Sequence, residues 1–248
     1  MTITKTSSKK FLGIIVARGG SKGIKNKNFT KFFNKPLIYW TISEAKKSKY
    51  LNHIILSTDS KKIANFGKKY NLNVPFLRPP HLSNDKAKAV DVVLHAISFL
   101  EKKGNFFDYV ALLEPTSPLR DSNDIDNSIK KILKLKGTSL ISVSKCKASH
   151  PNFQFKKVSQ ILKPINNKNK LKSSRQELKD IFFIDGSIYI SKVSHILNKK
   201  EFYSKKMISY EVPSWKSIEI DSQTDLVIAE CIKKNLHRFK RYDSKIFD

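Results

Sequence analysis

Residues 11–23 read Phe-Leu-Gly-Ile-Ile-Val-Ala-Arg-Gly-Gly-Ser-Lys-Gly, an apolar run that ends in a glycine-rich loop. The short run from Phe11 to Val16, followed directly by glycines, predicts a buried strand. The loop holds three of the eight glycines of the chain, which are Gly19, Gly20 and Gly23. Glycines at the end of a strand let backbone N–H groups approach an anion closely, and Arg18 adds a cation. The pattern indicates phosphate binding.

Two lysines, Lys22 and Lys27, extend the cationic character of this loop. Its spacing is neither that of a P-loop, G-x-x-x-x-G-K-[ST], nor that of a dinucleotide-binding fingerprint, G-x-G-x-x-G. An ordinary glycine turn with scattered lysines is the alternative interpretation of the loop alone.

The chain of 248 residues has a formal net charge of +27, from 48 basic and 21 acidic residues. Such an excess suggests a polyanionic partner such as nucleic acid. The basic residues are dispersed along the whole chain, however, and only six of them are arginines. A solvated surface, or binding of small anionic molecules, accounts for this dispersion better. The length and a hydrophobic content of 40% predict one main domain.

The two cysteines, Cys146 and Cys231, are far apart and form no C-x-x-C or Cys/His cluster. Neither a zinc site nor a disulfide framework is therefore indicated. Residues 1–10 are polar, and the apolar run after them is too short for a signal-peptide core or a membrane span. We expect a cytoplasmic protein without a membrane partner.

Strand and helix patterns alternate along the first 144 residues. After the first strand, we predict strands at His53–Ser57, Val74–Leu77, Tyr109–Leu113 and Ser139–Ser144, and helices at Pro36–Lys49, Ser60–Tyr70 and Ala87–Lys103. A further helix begins near Asp124 and Asp126 and is capped at its end by Gly137. This alternation predicts an α/β fold with a doubly wound, mostly parallel sheet, helices on both faces, and ligands at the carboxyl ends of the strands.

The alternation stops at residues 145–179, a polar segment rich in lysine and asparagine that we call the insertion. Regular patterns resume at Phe182–Ile190, and Ser222–Asp225 forms a capping box for a last helix. The chain is therefore predicted to have a core of residues 1–144 and 180–248, with residues 145–179 inserted in it. A flexible surface loop is the alternative, but a segment of this length is usually functional or makes contacts outside its domain.

Three polar clusters follow predicted strands. Arg78 opens the first, and residues 114–120, Glu-Pro-Thr-Ser-Pro-Leu-Arg, form the second, in which two prolines fix a rigid turn. The third is Ile218-Glu219-Ile220-Asp221, where alternation places both carboxylates on one face of an extended segment. Adjacent carboxylates repel each other unless a cation lies between them, and oxygen ligands suit Mg²⁺. Solvent-facing acids on an edge strand would give the same pattern.

Together these clusters resemble one family, the acylneuraminate cytidylyltransferases. The resemblance follows chain order across nearly the whole sequence. Its segments are Ala17–Gly23 with Lys27-Asn28, Ser57–Asp59, Arg78-Pro79 with Leu82 and Asp85, Pro115–Arg120, His150-Pro151, Arg175-Gln176, Asp185-Gly186 with Ile188-Tyr189, and Ser217–Asp221 with Asp225-Leu226.

The resemblance implies a Rossmann-like nucleotidyltransferase that moves CMP from CTP to the anomeric hydroxyl of an acidic nine-carbon sugar and releases pyrophosphate. The residues implied at the triphosphate are Arg18, Gly19, Ser21, Lys22 and Lys27. Those implied at the cytidine are Asn28, Arg78 and Ala87, and those implied at Mg²⁺ are Glu219 and Asp221. Those implied at the sugar are Glu114, Thr116, Ser117, Asp185 and Arg175. Arg18, Lys22, Lys27 and Arg175 carry the implied catalytic roles. The insertion corresponds to the family's dimerisation arm, which places Arg175 in the site of the partner subunit of a homodimer.

The sequence departs from the family pattern at several positions, one of which is Phe153, where some relatives have a lysine. Glu114 stands where the family commonly has Gln, Glu219 where it has Asp, and Ala89 where a hydroxyl residue is common. Glu219 keeps a carboxylate for the metal. A carboxylate at position 114 is unfavourable beside an acidic sugar unless a cation compensates it, which suggests a sugar acid such as legionaminate or pseudaminate.

Two alternative functions remain open from the sequence. A Kdo-type cytidylyltransferase is the nearer one, but the first loop of that family resembles Arg-Tyr-x-Ser-Thr-Arg. A nucleic-acid-binding protein without catalysis is the other, and it requires basic residues clustered with aromatic residues rather than dispersed.

Overall fold

A six-stranded, mostly parallel sheet forms the core of the protein in a computed structural model, which describes residues 9–21, 23–146, 150–165 and 178–244. The elements in chain order are β1 (Phe11–Val16), β2 (Lys31–Phe32), β3 (Lys35–Pro36), α1 (Leu37–Lys47), β4 (Leu51–Ser57), α2 (Lys61–Lys69), α3 (Ala89–Glu101), β5 (Tyr109–Leu113), α4 (Ser122–Lys134), β6 (Ser139–Lys145), β7 (Phe155–Val158), β8 (Ile161–Pro164), β9 (Phe182–Lys192), α5 (Val193–Lys199), β10 (Met207–Glu211), α6 (Gln223–Lys234) and α7 (Leu236–Ser244).

The strand order of the sheet is β10-β6-β9-β5-β1-β4. Strands β4 and β5 both pair in parallel with β1, and β10 pairs in parallel with β6. Only β9 runs antiparallel to its neighbours β5 and β6. Because β1, β4 and β5 are adjacent and parallel, the loops that follow them meet at one edge of the sheet, where ligands bind in folds of this kind.

Helices cover both faces of the sheet, as the alternating pattern predicts. Phe11 and Ile15 of β1 pack in one buried cluster with residues of α1, α2 and α4. Leu12 and Ile14, on the opposite face of the same strand, pack with residues of α3 and α5. A third cluster joins the small β2–β3 hairpin to α6 and α7 around Trp215. The hairpin, α5, β10 and α7 were not predicted from the sequence.

The predicted strand at Val74–Leu77 is wrong. Only isolated bridges form there, between Ile55 and Asn73 and between Thr58 and Leu77. Pro75 lies between these bridges and has no N–H to donate, so a continuous ladder beside β4 cannot form. Two backbone hydrogen bonds still hold the segment, from Leu56 N to Asn73 O at 2.9 Å and from Arg78 N to Thr58 O at 2.7 Å.

Two helix ends also differ from their predictions. Pro36 is the N-cap of α1 rather than its first residue. After α4, the left-handed residue is Lys136 (φ 49°) and not Gly137. Gly137 donates its N–H to Ile132 O at 3.0 Å. A side chain at this position would meet Ile208 Cδ1 of β10 at 2.3 Å, so packing rather than a left-handed backbone requires glycine here.

Strand β9 contains a bulge where it pairs with β6. Val143 of β6 pairs with Ile184, whereas Ile141 pairs with Tyr189, which leaves extra residues on β9 between these pairs. Gly186 has φ 75°, and Ser142 Oγ holds the distorted segment by accepting from Ile188 N at 2.8 Å. Such bulges commonly re-aim side chains next to functional sites.

The described part of the insertion contains a β-hairpin. Strands β7 and β8 pair antiparallel, and every residue of both is exposed. Within the described residues, no helix combines the length and the apolar composition that a membrane crossing requires.

Candidate active site

A cavity of about 520 Å³ opens at the carboxyl ends of β1 and β5. We call it the nucleotide cavity. Its walls come from the loop after β1 (residues 17–23, the phosphate loop), from Arg78, from residues 114–116, and from Asp221. Segments that are far apart in the sequence therefore surround one space.

The phosphate loop is held by its own polar groups. Ser21 Oγ donates to Ile24 O and accepts from Lys27 N at 3.1 Å, and Asn28 Nδ2 donates to Arg18 O at 2.9 Å. Gly19 N donates to Asp59 Oδ1 at 2.9 Å, which fixes the loop to the end of β4. The hydroxyl and amide side chains therefore shape the loop, while Arg18 and Lys27 line the cavity.

Among the described residues, the cations that line this cavity face carboxylates. Arg18 Nη1 lies 2.6 Å from Asp85 Oδ1, and Lys27 Nζ lies 2.6 Å from Asp221 Oδ1. The first pair is partly exposed and is worth little as a stabilising contact. Because the partners of such a pair separate at low cost, Arg18 can turn toward a polyphosphate.

Arg78 lies behind Arg18 and is only 6% exposed. Its Nε donates to Ser83 Oγ at 3.1 Å, and its Nη2 lies 3.8 Å from Asp59 Oδ1. Burial lowers the pKa of Arg78, and Asp59 opposes that shift. A buried guanidinium oriented in this way suits fixed hydrogen bonding to a planar or anionic ligand.

Residues 218–221, which we call the acidic segment, reach the nucleotide cavity at Asp221. The segment is extended but belongs to no strand. Ile220 is fully buried, as alternation predicts, and its N–H donates to Thr116 O at 2.8 Å. Glu219 Oε1 accepts from Thr116 Oγ1 at 3.0 Å. These two bonds attach the acidic segment to the turn after β5.

The phosphate loop and the acidic segment are in direct contact at Gly23. A side chain there would meet the carbonyl oxygen of Asp221 at 2.2 Å, so only glycine fits. Gly186 of the β9 bulge lies close to Glu219, whose Oε2 is 2.9 Å from where a side chain would start, and its φ of 75° itself favours glycine. Two glycines thus let three separate segments converge.

The donor set of the acidic segment fits a magnesium ion bound together with a polyphosphate. Burial raises the pKa of Glu219, the hydrogen bond from Thr116 lowers it, and the Asp221 carboxylate raises it again. A divalent cation between the two carboxylates would relieve this repulsion. Among the described residues no three His, Cys, Asp or Glu side chains form a metal cluster, and Mg²⁺ is commonly held by one or two carboxylates plus substrate phosphates.

A second cavity of about 410 Å³ adjoins the first. It has largely apolar and aromatic walls with charged residues added, and its lining is Lys88, Ala89, Val90, Leu112, Glu114, Tyr189, Lys200, Glu201, Phe202 and Tyr203. Ala89 and Glu114 line both cavities. Of its residues, the sequence points to Ala89, Glu114 and, within the family resemblance, Tyr189. The others come from α3 with the residue before it, from β5 and from the chain after α5, and they share no motif.

Most of the residues named from the sequence lie at these cavities. Those that line the nucleotide cavity are Arg18, Ser21, Lys27, Asn28, Arg78, Ala87, Glu114, Thr116 and Asp221. Gly19 lies beside them and contacts Asp59, and Glu219 lies behind Thr116. Ser117 and Asp185 are 1% and 3% exposed and line neither cavity. Lys22 and Arg175 lie outside the described residues.

A loop of glycines and cations, a buried arginine and two carboxylates, all at the carboxyl ends of parallel strands, define a nucleotide-binding α/β protein of the nucleotidyltransferase type. Comparison with known sequences makes the assignment more specific. The chain belongs to the cytidylyltransferase family, because the model of that family matches residues 12–244.

Individual relatives are similar over most of this chain. The CMP-N,N'-diacetyllegionaminic acid synthase of Legionella pneumophila is 33% identical over 89% of this chain and 95% of the relative. The N-acylneuraminate cytidylyltransferase of Escherichia coli O18:K1:H7 is 31% identical over 93% of this chain. The chain spans only 54% of that relative. The pseudaminic acid cytidylyltransferase of Campylobacter jejuni is 28% identical over 92% of this chain and 98% of the relative.

Solved structures show the same fold at low sequence identity. A CMP:2-keto-3-deoxy-manno-octonic acid synthetase complexed with CTP superposes with a TM-score of 0.69 at 13% identity, over 92% of this chain and 99% of that one. The 4-diphosphocytidyl-2C-methyl-D-erythritol synthase of Anaerococcus prevotii gives a TM-score of 0.60 at 12% identity, over 92% and 97%.

Proposed function

We propose that this protein transfers CMP from CTP to the anomeric hydroxyl of a nonulosonic acid and releases pyrophosphate. The observation that carries the proposal is the joining of two cavities at Glu114, one bordered by the phosphate loop and the acidic segment, the other by an aromatic wall. The names of the relatives support the same reaction, since they act on neuraminic, legionaminic and pseudaminic acids.

In this proposal the triphosphate of CTP lies along the phosphate loop. Arg18, Lys27 and, in the same loop, Lys22 turn toward its charges and neutralise them, and Asn28, Arg78 and the segment at Ala87 face the cytidine. Phosphoryl transfer needs little covalent chemistry from the protein, because positioning and charge neutralisation account for most of the catalysis.

Glu219 and Asp221 are the residues that would hold Mg²⁺. The ion would supply charge neutralisation at the phosphates when it is bound. Thr116 orients Glu219 through its hydroxyl, and the contact at Gly23 keeps Asp221 next to the phosphate loop.

The sugar acid would occupy the second cavity. Its apolar wall, with Val90, Leu112 and Phe202, suits the acyl groups of such sugars, while Lys88 and Lys200 suit their carboxylate. Glu114 would contact the sugar directly, Thr116 would border it from the nucleotide cavity, and the buried Ser117 and Asp185 would support the turn and the β9 bulge beneath it.

The proposal is tested with CTP, Mg²⁺ and separate sugar acids. We expect pyrophosphate release and a CMP-sugar detectable by mass spectrometry with at least one of N-acetylneuraminate, N,N'-diacetyllegionaminate and pseudaminate. Turnover with 2-keto-3-deoxy-manno-octonate alone would favour the Kdo-type alternative instead. Salt-dependent binding to DNA or RNA without any CTP turnover would favour the nucleic-acid alternative.

We further propose that the insertion, residues 145–179, is a dimerisation arm. Its hairpin and the start of β9 expose apolar side chains together, with Val158 at 51%, Ile161 at 65%, Leu162 at 61% and Phe182 at 42%. Exposed apolar groups on a hairpin that covers none of the core clusters favour burial against another chain. A second copy of this chain is the occupant, with Arg175 reaching the partner's sugar acid.

Subunit mixing tests the arm. If Arg175 serves the partner, Asp221→Ala and Arg175→Ala homodimers are both nearly inactive, whereas each mixed dimer has one intact site. Random reassociation makes about half of the dimers mixed, so roughly a quarter of the parental activity should return. An absence of recovery, with subunit exchange confirmed by two different tags, would show that Arg175 acts within its own subunit or not at all.

A further inference from the structure

A single buried guanidinium connects two segments that contact Glu219. Arg120 lies between β5 and α4 and is 3% exposed. Its Nη1 donates to Glu114 O at 3.2 Å and to Ser187 O at 2.6 Å, and its Nη2 donates to Thr41 Oγ1 at 2.7 Å. One side chain therefore joins the end of β5, the β9 bulge and α1.

The turn after β5 and the β9 bulge each lie against one oxygen of the Glu219 carboxylate. Thr116, two residues after Glu114, donates from Oγ1 to Glu219 Oε1 at 3.0 Å. Gly186, the residue before Ser187, lies against the other oxygen, since a side chain there would start 2.9 Å from Glu219 Oε2. A shift of either segment would therefore move the carboxylate.

Stability alone is a weak explanation for a charge buried at this place. Burial lowers the pKa of Arg120 to about 10, and nearby carboxylates, led by Asp124 and Asp185, oppose the shift, so the guanidinium stays charged at neutral pH. Apolar side chains of similar volume often replace a buried charged network without loss of stability. A planar guanidinium, in contrast, fixes several acceptors in one geometry. Positioning therefore explains this network better than stability does.

We infer that Arg120 is a positioning residue, which sets the separation between the turn after β5 and the β9 bulge and thereby the position of the Glu219 carboxylate. This inference rests on the function proposed above, in which Glu219 holds Mg²⁺ beside the phosphates. Arg120 lines neither cavity, so it acts on the ion only through the segments that it joins. Its loss should impair the use of Mg²⁺ and leave the binding of CTP to the phosphate loop unchanged.

The test is Arg120→Lys, which keeps the positive charge but loses the planar fork. The Mg²⁺ concentration at half-maximal rate should rise about tenfold, the effect typical of losing a residue that orients a metal-binding side chain. The Mg²⁺ concentration at the half-maximal thermal shift, measured with CTP and without sugar, should rise by the same factor. The Kd for CTP in the presence of EDTA should stay within about threefold of the parent.

Two variants of Thr41 repeat the test with a smaller disturbance. Thr41→Val removes the hydroxyl that accepts from Arg120 Nη2. It should shift the Mg²⁺ dependence in the same direction but less, because the bonds of Arg120 to Glu114 O and Ser187 O remain. Thr41→Ser keeps a hydroxyl and should behave like the parent. Thr41→Val decides the question even where Arg120→Lys does not fold.

Ile42→Ala is the control for lost stability. Ile42 follows Thr41 in α1, is 1% exposed and packs in an apolar core cluster. Its truncation should lower the unfolding temperature, because it leaves a cavity in the core. The Mg²⁺ dependence should stay within about threefold of the parent.

The possible failures are distinguishable. Folded Arg120→Lys and Thr41→Val that use Mg²⁺ as the parent does would overturn the positioning role alone. An equal rise in Ile42→Ala would also overturn it, because lost stability would then explain the effect. A parent whose thermal shift with CTP is independent of Mg²⁺ would overturn the metal assignment and this inference with it. A parent that binds CTP and Mg²⁺ but releases no pyrophosphate with any sugar acid would overturn the proposed transfer, while the thermal shift would still test Arg120.

Discussion

Replacing Asp221 by Ala should reduce Mg²⁺-dependent turnover by roughly a hundredfold or more, equivalent to a loss of ~3 kcal/mol of transition-state stabilisation. Asp221 lines the nucleotide cavity, and its side chain is 70% exposed. Mg²⁺ loses its water reluctantly, so the remaining Glu219 would hold the ion poorly. Lys27 would also lose its partner at 2.6 Å. The measurement is kcat across a Mg²⁺ titration, combined with the thermal shift that CTP and Mg²⁺ produce.

Asp108→Ala is the matched control. Asp108 also pairs with a lysine, Lys9, at 2.7 Å, but it precedes β5 and therefore lies at the opposite edge of the sheet. Its loss should leave turnover within about threefold of the parent. Asp221→Ala with nearly parental turnover at limiting Mg²⁺ would remove the metal assignment from the acidic segment.

The second large effect is expected for Lys216→Met, which should lower the free energy of unfolding by ~3–5 kcal/mol. Lys216 Nζ lies 2.8 Å from Asp121 Oδ2 and 2.7 Å from Asp124 Oδ2, and its side chain is 11% exposed. Both acids form the capping box at the start of α4. Without the ammonium group, two neighbouring carboxylates lose their direct ion-pair partner, and only the longer-range attraction of Arg120 for Asp124 and of Lys240 for Asp121 remains. The positive end of the helix dipole compensates them only in part.

The stability lost in Lys216→Met should be larger at neutral pH than at acidic pH. Burial already raises the pKa of Asp124, and Lys216 opposes that shift. In Lys216→Met the folded-state pKa of Asp124 rises further above its unfolded value, so the penalty is full at neutral pH and decreases as Asp124 takes up a proton. Urea unfolding at pH 7.5 and pH 5 measures this difference.

Two further variants make the Lys216 result specific. Lys68→Met, which removes an exposed lysine of α2, should change stability by no more than about 0.5 kcal/mol. Adding Asp124→Asn to Lys216→Met should recover part of the loss, because the residues interact directly. Equal losses for Lys216→Met and Lys68→Met would mean that the buried ion pair contributes nothing.

The sequence predicts the elements whose signals are local. The apolar run of β1, the acidic residues at the start of α4, the capping box of α6 and the spacing of α3 each lie within one segment, and all of these elements form. The prediction fails where one residue prevents the backbone hydrogen bonding that the apolar pattern around it would otherwise support. Pro75 is such a case, since the apolar pattern around it is typical of a strand although its backbone cannot complete one.

In the candidate site, too, the features with a local sequence signal are predicted, and those that depend on contacts in space are not. The phosphate loop and the acidic segment are recognisable as motifs, and they border one cavity. The contacts that join them depend on distance in space rather than on sequence pattern, as with Gly23 against Asp221 or Lys216 against α4. The second cavity draws on α3, β5, β9 and the chain after α5, so no window of the sequence contains its signal.

Because β9 runs antiparallel to β6, the end of β6 and the start of β9 lie side by side, which affects how the protein tolerates changes in the segment between them. Lys145, at the end of β6, pairs with Phe182, at the start of β9, and Cys146 N donates to Ile181 O at 2.7 Å. The chain therefore leaves the core and returns to it at two neighbouring positions that are hydrogen-bonded to each other. Because the ladder already brings these ends together, lengthening or shortening the segment between them adds little closure entropy, about 0.6 kcal/mol per doubling. The part of the chain proposed to meet the partner can therefore vary in length and composition while the nucleotide cavity stays unchanged.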